Sequence, residues 1–140
     1  MSWGTMAHDH DMYMMLVESA REIEDQSTLE KYTPLLEELA ERDGHQLYLA
    51  IAKRASGVVH RLRGEFEDSE NCLQEAMIIF TKLDARWQCG RTKLELGKSA
   101  QSRGDISAAS KAFAEGLKYF EQLGAKPDQG RVLQALELIS

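Results

Sequence analysis

The chain has 140 residues, 43% of them apolar and 29% charged, a composition typical of one globular domain or a short repeat array. Its 17 basic and 23 acidic side chains give a net charge of −6, which disfavours nucleic-acid and anionic-membrane binding because both need a basic surface. Its two cysteines, Cys72 and Cys89, are too few for a disulfide framework, so we expect a reduced, cytoplasmic setting.

The first eleven residues, 1–11, are predicted to form an N-terminal tail ahead of a single domain over 12–140. The tail contains His8, Asp9 and His10, which are metal-ligating residue types. A closed zinc site needs about four ligands on a rigid frame, and a terminal tail does not provide one. We therefore predict no metal site and no cofactor.

The first predicted unit of the domain covers residues 12–44. Thr33-Pro34 predicts the start of its second helix, because proline suits the first helical position. The segment 25–33 is accordingly predicted to be mainly a turn. One amphipathic helix precedes that turn, and its apolar residues are Met12, Met15, Leu16, Ala20 and Ile23.

The next two units, 45–84 and 85–124, align without gaps at an offset of 40 residues. Their first helices are predicted over about 45–63 and 85–103, each followed by a glycine that can adopt the left-handed conformation at a helix end. A final helix within 125–140 starts a further unit. Identical pairs in the alignment are Lys53 and Lys93, Gly57 and Gly97, Gly64 and Gly104, Glu75 and Glu115, and Phe80 and Phe120.

The second helices of these two units carry apolar residues at spacings of three and four, which place them on one face. Each unit alone would expose that face, so neighbouring units must stack. We expect equivalent burial of Phe80 with Phe120, Leu73 with Phe113, and Leu83 with Leu123. In the last helix we expect Val132, Leu136 and Ile139 to face inward and Leu133 or Leu138 to face outward.

Several residues resemble tetratricopeptide repeats: Leu96-Gly97, Gly104-Asp105, Ala109, Phe113 and Gly116. The 40-residue spacing, with Phe-x-x-Leu-Gly-Ala at 120–125, looks more like the longer repeats of bacterial signalling and transcription-activator proteins. The resemblance implies an all-α fold, an α-solenoid of about three helix-turn-helix repeats plus a C-terminal helix. It also implies binding of protein segments, with the first helix of each pair lining the concave face, and no catalysis.

Basic charge is concentrated on two of the first helices, since residues 45–63 and 85–103 each carry a net charge of +4. The inward positions implied by the resemblance would place this charge, with interspersed apolar residues, in one groove. An acidic, partly apolar protein segment would suit such a groove. The predicted groove residues are Arg54, Val58, Arg61, Arg91, Leu94, Lys98 and Arg131.

We therefore predict a non-catalytic scaffold that binds another protein or peptide, for example as a regulatory part of a signalling or transcription system. No nucleophile, base and orienting group fall into a catalytic pattern, so we predict no enzyme activity. One alternative is that the basic residues merely neutralise acidic second helices of neighbouring units. The predicted groove fails if Arg91 and Arg131 each form an ion pair with an acidic residue of a neighbouring helix. Another alternative is self-assembly, as a homodimer through the C-terminal helix.

Overall fold

The structure is a computed structural model that describes the backbone of residues 2–140 and the side chains from His10 onward. The described chain is helical with short turns and contains no strand, which confirms the all-α prediction. None of the described helices combines the length and apolarity that crossing a membrane requires. The seven helices are α1 (Ser2–Ile23), α2 (Gln26–Asp43), α3 (Gln46–Leu62), α4 (Phe66–Lys82), α5 (Arg86–Ser102), α6 (Ile106–Leu123) and α7 (Lys126–Ile139).

The turns between the helices recur at a constant interval. In the described chain, a residue with positive φ follows each of the first six helices, always 20 positions after the previous one. Four of these residues are glycines, which adopt the left-handed conformation without a steric penalty. The helix-plus-turn unit is therefore 20 residues long, and two of them make the 40-residue repeat. The six residues are Glu24, Gly44, Gly64, Asp84, Gly104 and Gly124.

Consecutive helices pack against each other along the whole chain, and α3 also contacts α1 and α5. Buried positions in α2, α4 and α6 coincide when their sequences are aligned at offsets of 40 residues. This coincidence confirms the predicted register and extends it into the first unit. The matched sets are Leu29, Ser69 and Ala109; Thr33, Leu73 and Phe113; Leu36, Ala76 and Gly116; and Ala40, Phe80 and Phe120.

Polar contacts repeat at the same offset. The ion pair between Lys53 and Glu75 at 3.0 Å recurs as Lys93 with Glu115 at 3.4 Å. The ion pair of Arg63 with Glu30 similarly recurs as Arg103 with Glu70. The repeat is thus present in three-dimensional contacts between helices as well as in the sequence.

Close approach of the paired helices depends on small residues opposite large ones. A Cβ atom added at Gly97 would lie 2.3 Å from the ring of Phe113, and one added at Gly57 would lie 2.7 Å from Leu73. Real Cβ atoms do not approach other atoms this closely, so each glycine provides the space that the opposite side chain fills.

The predicted burial is confirmed for Phe80, Phe120, Leu73 and Phe113, which are at most 1% exposed. It is wrong for the remaining pair: Leu83 is 45% exposed and Leu123 is 43% exposed. These leucines occupy equivalent places at the ends of α4 and α6, where the chain turns away from the core. The buried apolar stripe of each helix therefore ends before these leucines.

The first unit differs most from its prediction. Helix α2 begins at Gln26 and contains Pro34 in its interior, so the turn predicted over 25–33 is wrong. Asp25 explains the earlier start, because its carboxylate accepts hydrogen bonds from the amide and the hydroxyl of Thr28 and caps the helix. Helix α1 begins at Ser2, within the segment predicted as a tail.

The buried face of α1 is not the predicted apolar stripe. Val17, Ala20 and Arg21 are at most 5% exposed, whereas Met15 is 64% and Ile23 76% exposed. Helix α1 packs on α2 and α3 through this buried face. Of the predicted stripe only Ala20 belongs to it, and Met12, Met15 and Ile23 are exposed. Helix α7 follows its prediction: Val132 is fully buried, and the outward leucines are Leu133 and Leu138.

Candidate functional site

The strongest concentration of interacting charges centres on Glu18 of α1. Its carboxylate lies 2.9 Å from Arg54 Nη2, 3.0 Å from Arg21 Nε and 3.3 Å from Arg91 Nη1. Burial raises the pKa of Glu18, but the charges and hydrogen bonds of Arg54 and Arg21 outweigh burial and lower it to about 2. One carboxylate thus joins α1 to α3 and α5.

Glu22 lies one turn further along α1 and continues the same arrangement. Its Oε1 atom is 3.0 Å from Arg91 Nη2 and 3.1 Å from Arg131 Nη1. Because Arg131 belongs to α7, Glu22 connects the first helix of the chain to the last. Arg131 is more accessible than Arg91, with 52% of the side chain exposed against 15%.

Glu95 of α5 is the most deeply buried carboxylate of the group, with 1% of its side chain exposed. Arg21 Nη1 lies 2.6 Å from it, and Arg61 Nη2 lies 3.6 Å from it. Burial raises the pKa of Glu95, but the charges of Arg21, Lys98 and Arg61 together lower it below its usual value. Arg61 also donates a hydrogen bond of 2.7 Å to Glu24.

These side chains form one network of buried and exposed groups that we call the charged face. It contains six cations and five carboxylates, so it is slightly positive in a chain of net charge −6. Its members are Arg21, Arg54, Arg61, Arg91, Lys98, Arg131, Glu18, Glu22, Glu24, Glu95 and Asp128.

The predicted groove residues divide into a covered and an open set. On α3, Arg54 and Val58 are at most 1% exposed, and 9% of the Arg61 side chain is exposed. Helix α1 packs on α3 and contributes the carboxylates that hold the two arginines. The open set lies on α5 and α7, where Leu94 and Lys98 are half-buried and Arg131 is exposed.

Arg91 and Arg131 both form ion pairs with acidic residues of α1, so the groove does not present them as free cations, and internal neutralisation is favoured. The acidic partners are not the ones that this alternative names, however. The alternative places the neutralising acids on second helices, whereas Glu18 and Glu22 lie on α1 and Glu95 lies on α5. The acidic residues of α1 thus reach the basic residues of both α3 and α5.

Trp87 is a site residue that the sequence analysis missed. It is 40% exposed, the Arg91 guanidinium lies 3.9 Å from its ring centroid, and its Nε1 donates a 2.8 Å hydrogen bond to Asp128. Its position on α5, four residues before Arg91 and eleven before Lys98, was the available signal, because these spacings share one helix face. An exposed tryptophan stacked on arginine is typical of protein-binding surfaces.

The Glu18 interactions should make the stability of the fold depend on pH. A carboxylate whose folded pKa is about 2 instead of 4.5 stabilises the fold above pH 4.5, and this contribution is lost as the pH falls toward 2. We expect it to be about 3 kcal/mol. Urea unfolding at pH 7, 5 and 2.5 measures it, with Glu18→Gln as the variant. If the variant and the parent lost equal stability between pH 5 and 2.5, Glu18 would not be responsible.

Metal-ligating and nucleophilic residues are spread along the described chain. One group brings possible ligand atoms of His60, Glu65 and Asp68 within 4.8 Å of one another. Both carboxylates are exposed, and three ligands fall short of the four in a closed zinc site. Of the predicted tail residues, His10 lies 3.0 Å from Asp43, and the side chains of His8 and Asp9 lie outside the described residues.

The two cysteines are free thiols in the structure, Cys89 buried and Cys72 half-buried. Burial raises the pKa of Cys72, which works against thiolate formation. Comparison of the sequence with protein-family models found no match, and comparison with curated proteins found none either.

Proposed function

We propose that the chain is a non-catalytic helical-repeat scaffold that binds an acidic, partly apolar segment of another protein on the open part of the charged face. The observation that carries this proposal is Trp87, exposed and stacked on Arg91. Tryptophan and arginine are the residues most often responsible for protein binding energy. Free cysteines are compatible with the cytoplasmic setting that the sequence led us to expect.

The proposed binding surface is formed by α5 and α7 and excludes α3. Trp87, Leu94 and Lys98 line one side of α5, and Arg131 and Leu138 lie on α7. Leu138 is 77% exposed, so the surface combines apolar and cationic groups. Arg54 and Arg61 have a structural role in this proposal, because α1 covers them.

An acidic partner that reaches Arg131 must either displace Glu22 from this arginine or share the arginine with it. This competition lowers the net gain from each charged contact, so affinity should depend mainly on the apolar anchors. The charges would mainly set the association rate and the choice of partner, and both effects weaken as salt rises.

We further propose that the helices stack as an α-solenoid of the tetratricopeptide type. Support comes from the 40-residue register of burial, from consecutive helix packing and from the contacts of α3 with both α1 and α5. In a solenoid of this type the first helices of successive pairs line the binding surface, which agrees with the placement of Trp87 on α5.

Charge reversal at the two most accessible cations should test the binding surface. The double variant Lys98→Glu/Arg131→Glu is expected to weaken binding of an acidic-apolar peptide, selected from a random library, by at least about tenfold, equivalent to about 1.4 kcal/mol. Fluorescence polarisation at low and high salt measures the effect. The matched control is Lys111→Glu/Lys118→Glu, which makes the same charge change at exposed positions on α6. Equal loss in both variants, or binding indifferent to salt and to reversal, would refute the proposed surface.

Self-assembly is the second candidate function, because Leu133 is 53% exposed and Leu138 is 77% exposed on α7. Exposed leucines on one helix can form a contact between two copies. Molecular mass measured over a range of concentrations separates this candidate from binding by a monomer.

A further inference from the structure

A pocket of about 160 Å³ lies between α2 and α3, on a different part of the molecule from the charged face. Leu29 and Val59 are its buried apolar residues, and the other residues that line it are polar or lie at its mouth. The full lining is Leu29, Glu30, Thr33, Pro34, Ser56, Val59, His60 and Arg63.

The 40-residue repeat shows why a pocket exists here. Thr33 occupies the position of Leu73, which is 1% exposed, and Ser56 occupies that of Leu96, which is 8% exposed. The smaller polar side chains therefore leave open the space that two buried leucines occupy one unit later. The same type of ion pair borders both places, Arg63 with Glu30 and Arg103 with Glu70.

The inner wall of the pocket offers hydrogen-bonding groups without partners. Thr33 is 3% exposed, yet its buried Oγ1 atom has no hydrogen-bond partner. Pro34 has no N–H group, so the carbonyl of Glu30 lacks the usual helical donor four residues later. Buried polar groups are normally paired, so the buried, unpaired Thr33 hydroxyl indicates a site for a polar ligand.

The mouth of the pocket carries both signs of charge. Arg63 donates from Nε and Nη2 to one oxygen of Glu30, and His60 Nδ1 lies 2.7 Å from Glu65 Oε1. The second guanidinium nitrogen of Arg63, Nη1, has no partner among the described residues. A ligand with an anionic group beside a cationic one can therefore place the anion on Arg63 and the N–H donors of the cation on the oxygen acceptors of the inner wall, with its apolar part on Leu29 and Val59.

We propose that this pocket binds a small aliphatic α-amino acid. The carboxylate would be bound by Arg63, the ammonium group by the Glu30 carbonyl and the Thr33 hydroxyl, and the side chain by the apolar wall. An engineered apolar cavity of about 150 Å³ holds benzene, with six heavy atoms, so the volume suits a ligand of about six to eight heavy atoms. This site is independent of the binding of an acidic segment proposed above.

Titration of isotope-labelled protein with L-valine, followed by NMR, tests the proposal. We expect saturable shifts at Thr33, Ser56 and Val59. The controls are 3-methylbutanoate, which lacks the amine, and isobutylamine, which lacks the carboxylate. Each should bind at least about tenfold more weakly, because it loses the hydrogen bonds of one ionised group. Absence of saturable shifts, or equal binding of either control, would overturn the proposal.

Variants distinguish a ligand site from a packing defect. Thr33→Val keeps the shape and removes the hydroxyl, so valine affinity should fall at least about fivefold while the melting temperature stays equal or rises. Ser56→Leu, which introduces the residue found at position 96, should fill the pocket and abolish binding. Arg63→Gln should weaken binding, whereas Arg103→Gln, its counterpart one unit later, should not. Equal effects of the two arginine variants would also overturn the proposal.

Discussion

Replacing Phe120 by alanine should lower the free energy of unfolding by about 3–5 kcal/mol. The Phe120 side chain is fully buried, and a Cβ atom added at Gly90 would lie 2.7 Å from its ring. Truncation therefore removes the contacts of a large aromatic ring and leaves a cavity between α5 and α6, whose close packing restricts collapse.

Urea unfolding measures this loss, and Leu123→Ala provides a control in the same helix. Leu123 is 43% exposed, so its truncation should cost about 1 kcal/mol or less. Similar costs for the two variants would show that the core between α5 and α6 is not packed as described.

Glu95→Ala should destabilise the chain by a comparable amount, about 3–5 kcal/mol. The carboxylate is buried 2.6 Å from Arg21 Nη1, and 6% of the Arg21 side chain is exposed. Its removal leaves the guanidinium in the interior with Glu18 at 3.0 Å and Glu22 at 3.7 Å, and an incompletely paired buried charge is costly.

A second carboxylate on the surface provides the control for this variant. Glu115 pairs with Lys93 at 3.4 Å and is 46% exposed, so Glu115→Ala should cost at most about 1 kcal/mol. The double variant Arg21→Met/Glu95→Met should recover part of the loss, since apolar residues can replace a buried ion pair. A cost of Glu95→Ala no greater than that of Glu115→Ala would contradict the role given to the buried pair.

Most of the fold follows from periodicity in the sequence. The 40-residue register placed Phe80 and Phe120 in equivalent buried positions, and it located the ends of α3 and α5 to within one residue. Repeated units make such predictions reliable, because each position is supported by its counterpart. Leu83 and Leu123 show where this reasoning ends, since a repeated residue can be repeatedly exposed.

The candidate site was less predictable because it depends on contacts between distant residues. Arg54 was expected in an open groove, but Glu18, 36 residues earlier, pairs with it and α1 covers it. No local pattern indicates which helix face meets a basic residue so far along the chain. In α2, Pro34 suggested a helix start, although the cap at Asp25 and the burial of Leu29 favour helix through the proline.

The contact between Glu22 and Arg131 joins residues that are 109 positions apart. In proteins built from stacked units each unit usually contacts only its neighbours, so pulling on the two ends separates the units one after another. Here an ion pair through Glu22 joins the first and last helices of the described chain, so stretching must first break that contact. An exposed ion pair resists weakly and is screened by salt, which should make the elasticity of the chain depend on the ionic strength of its surroundings.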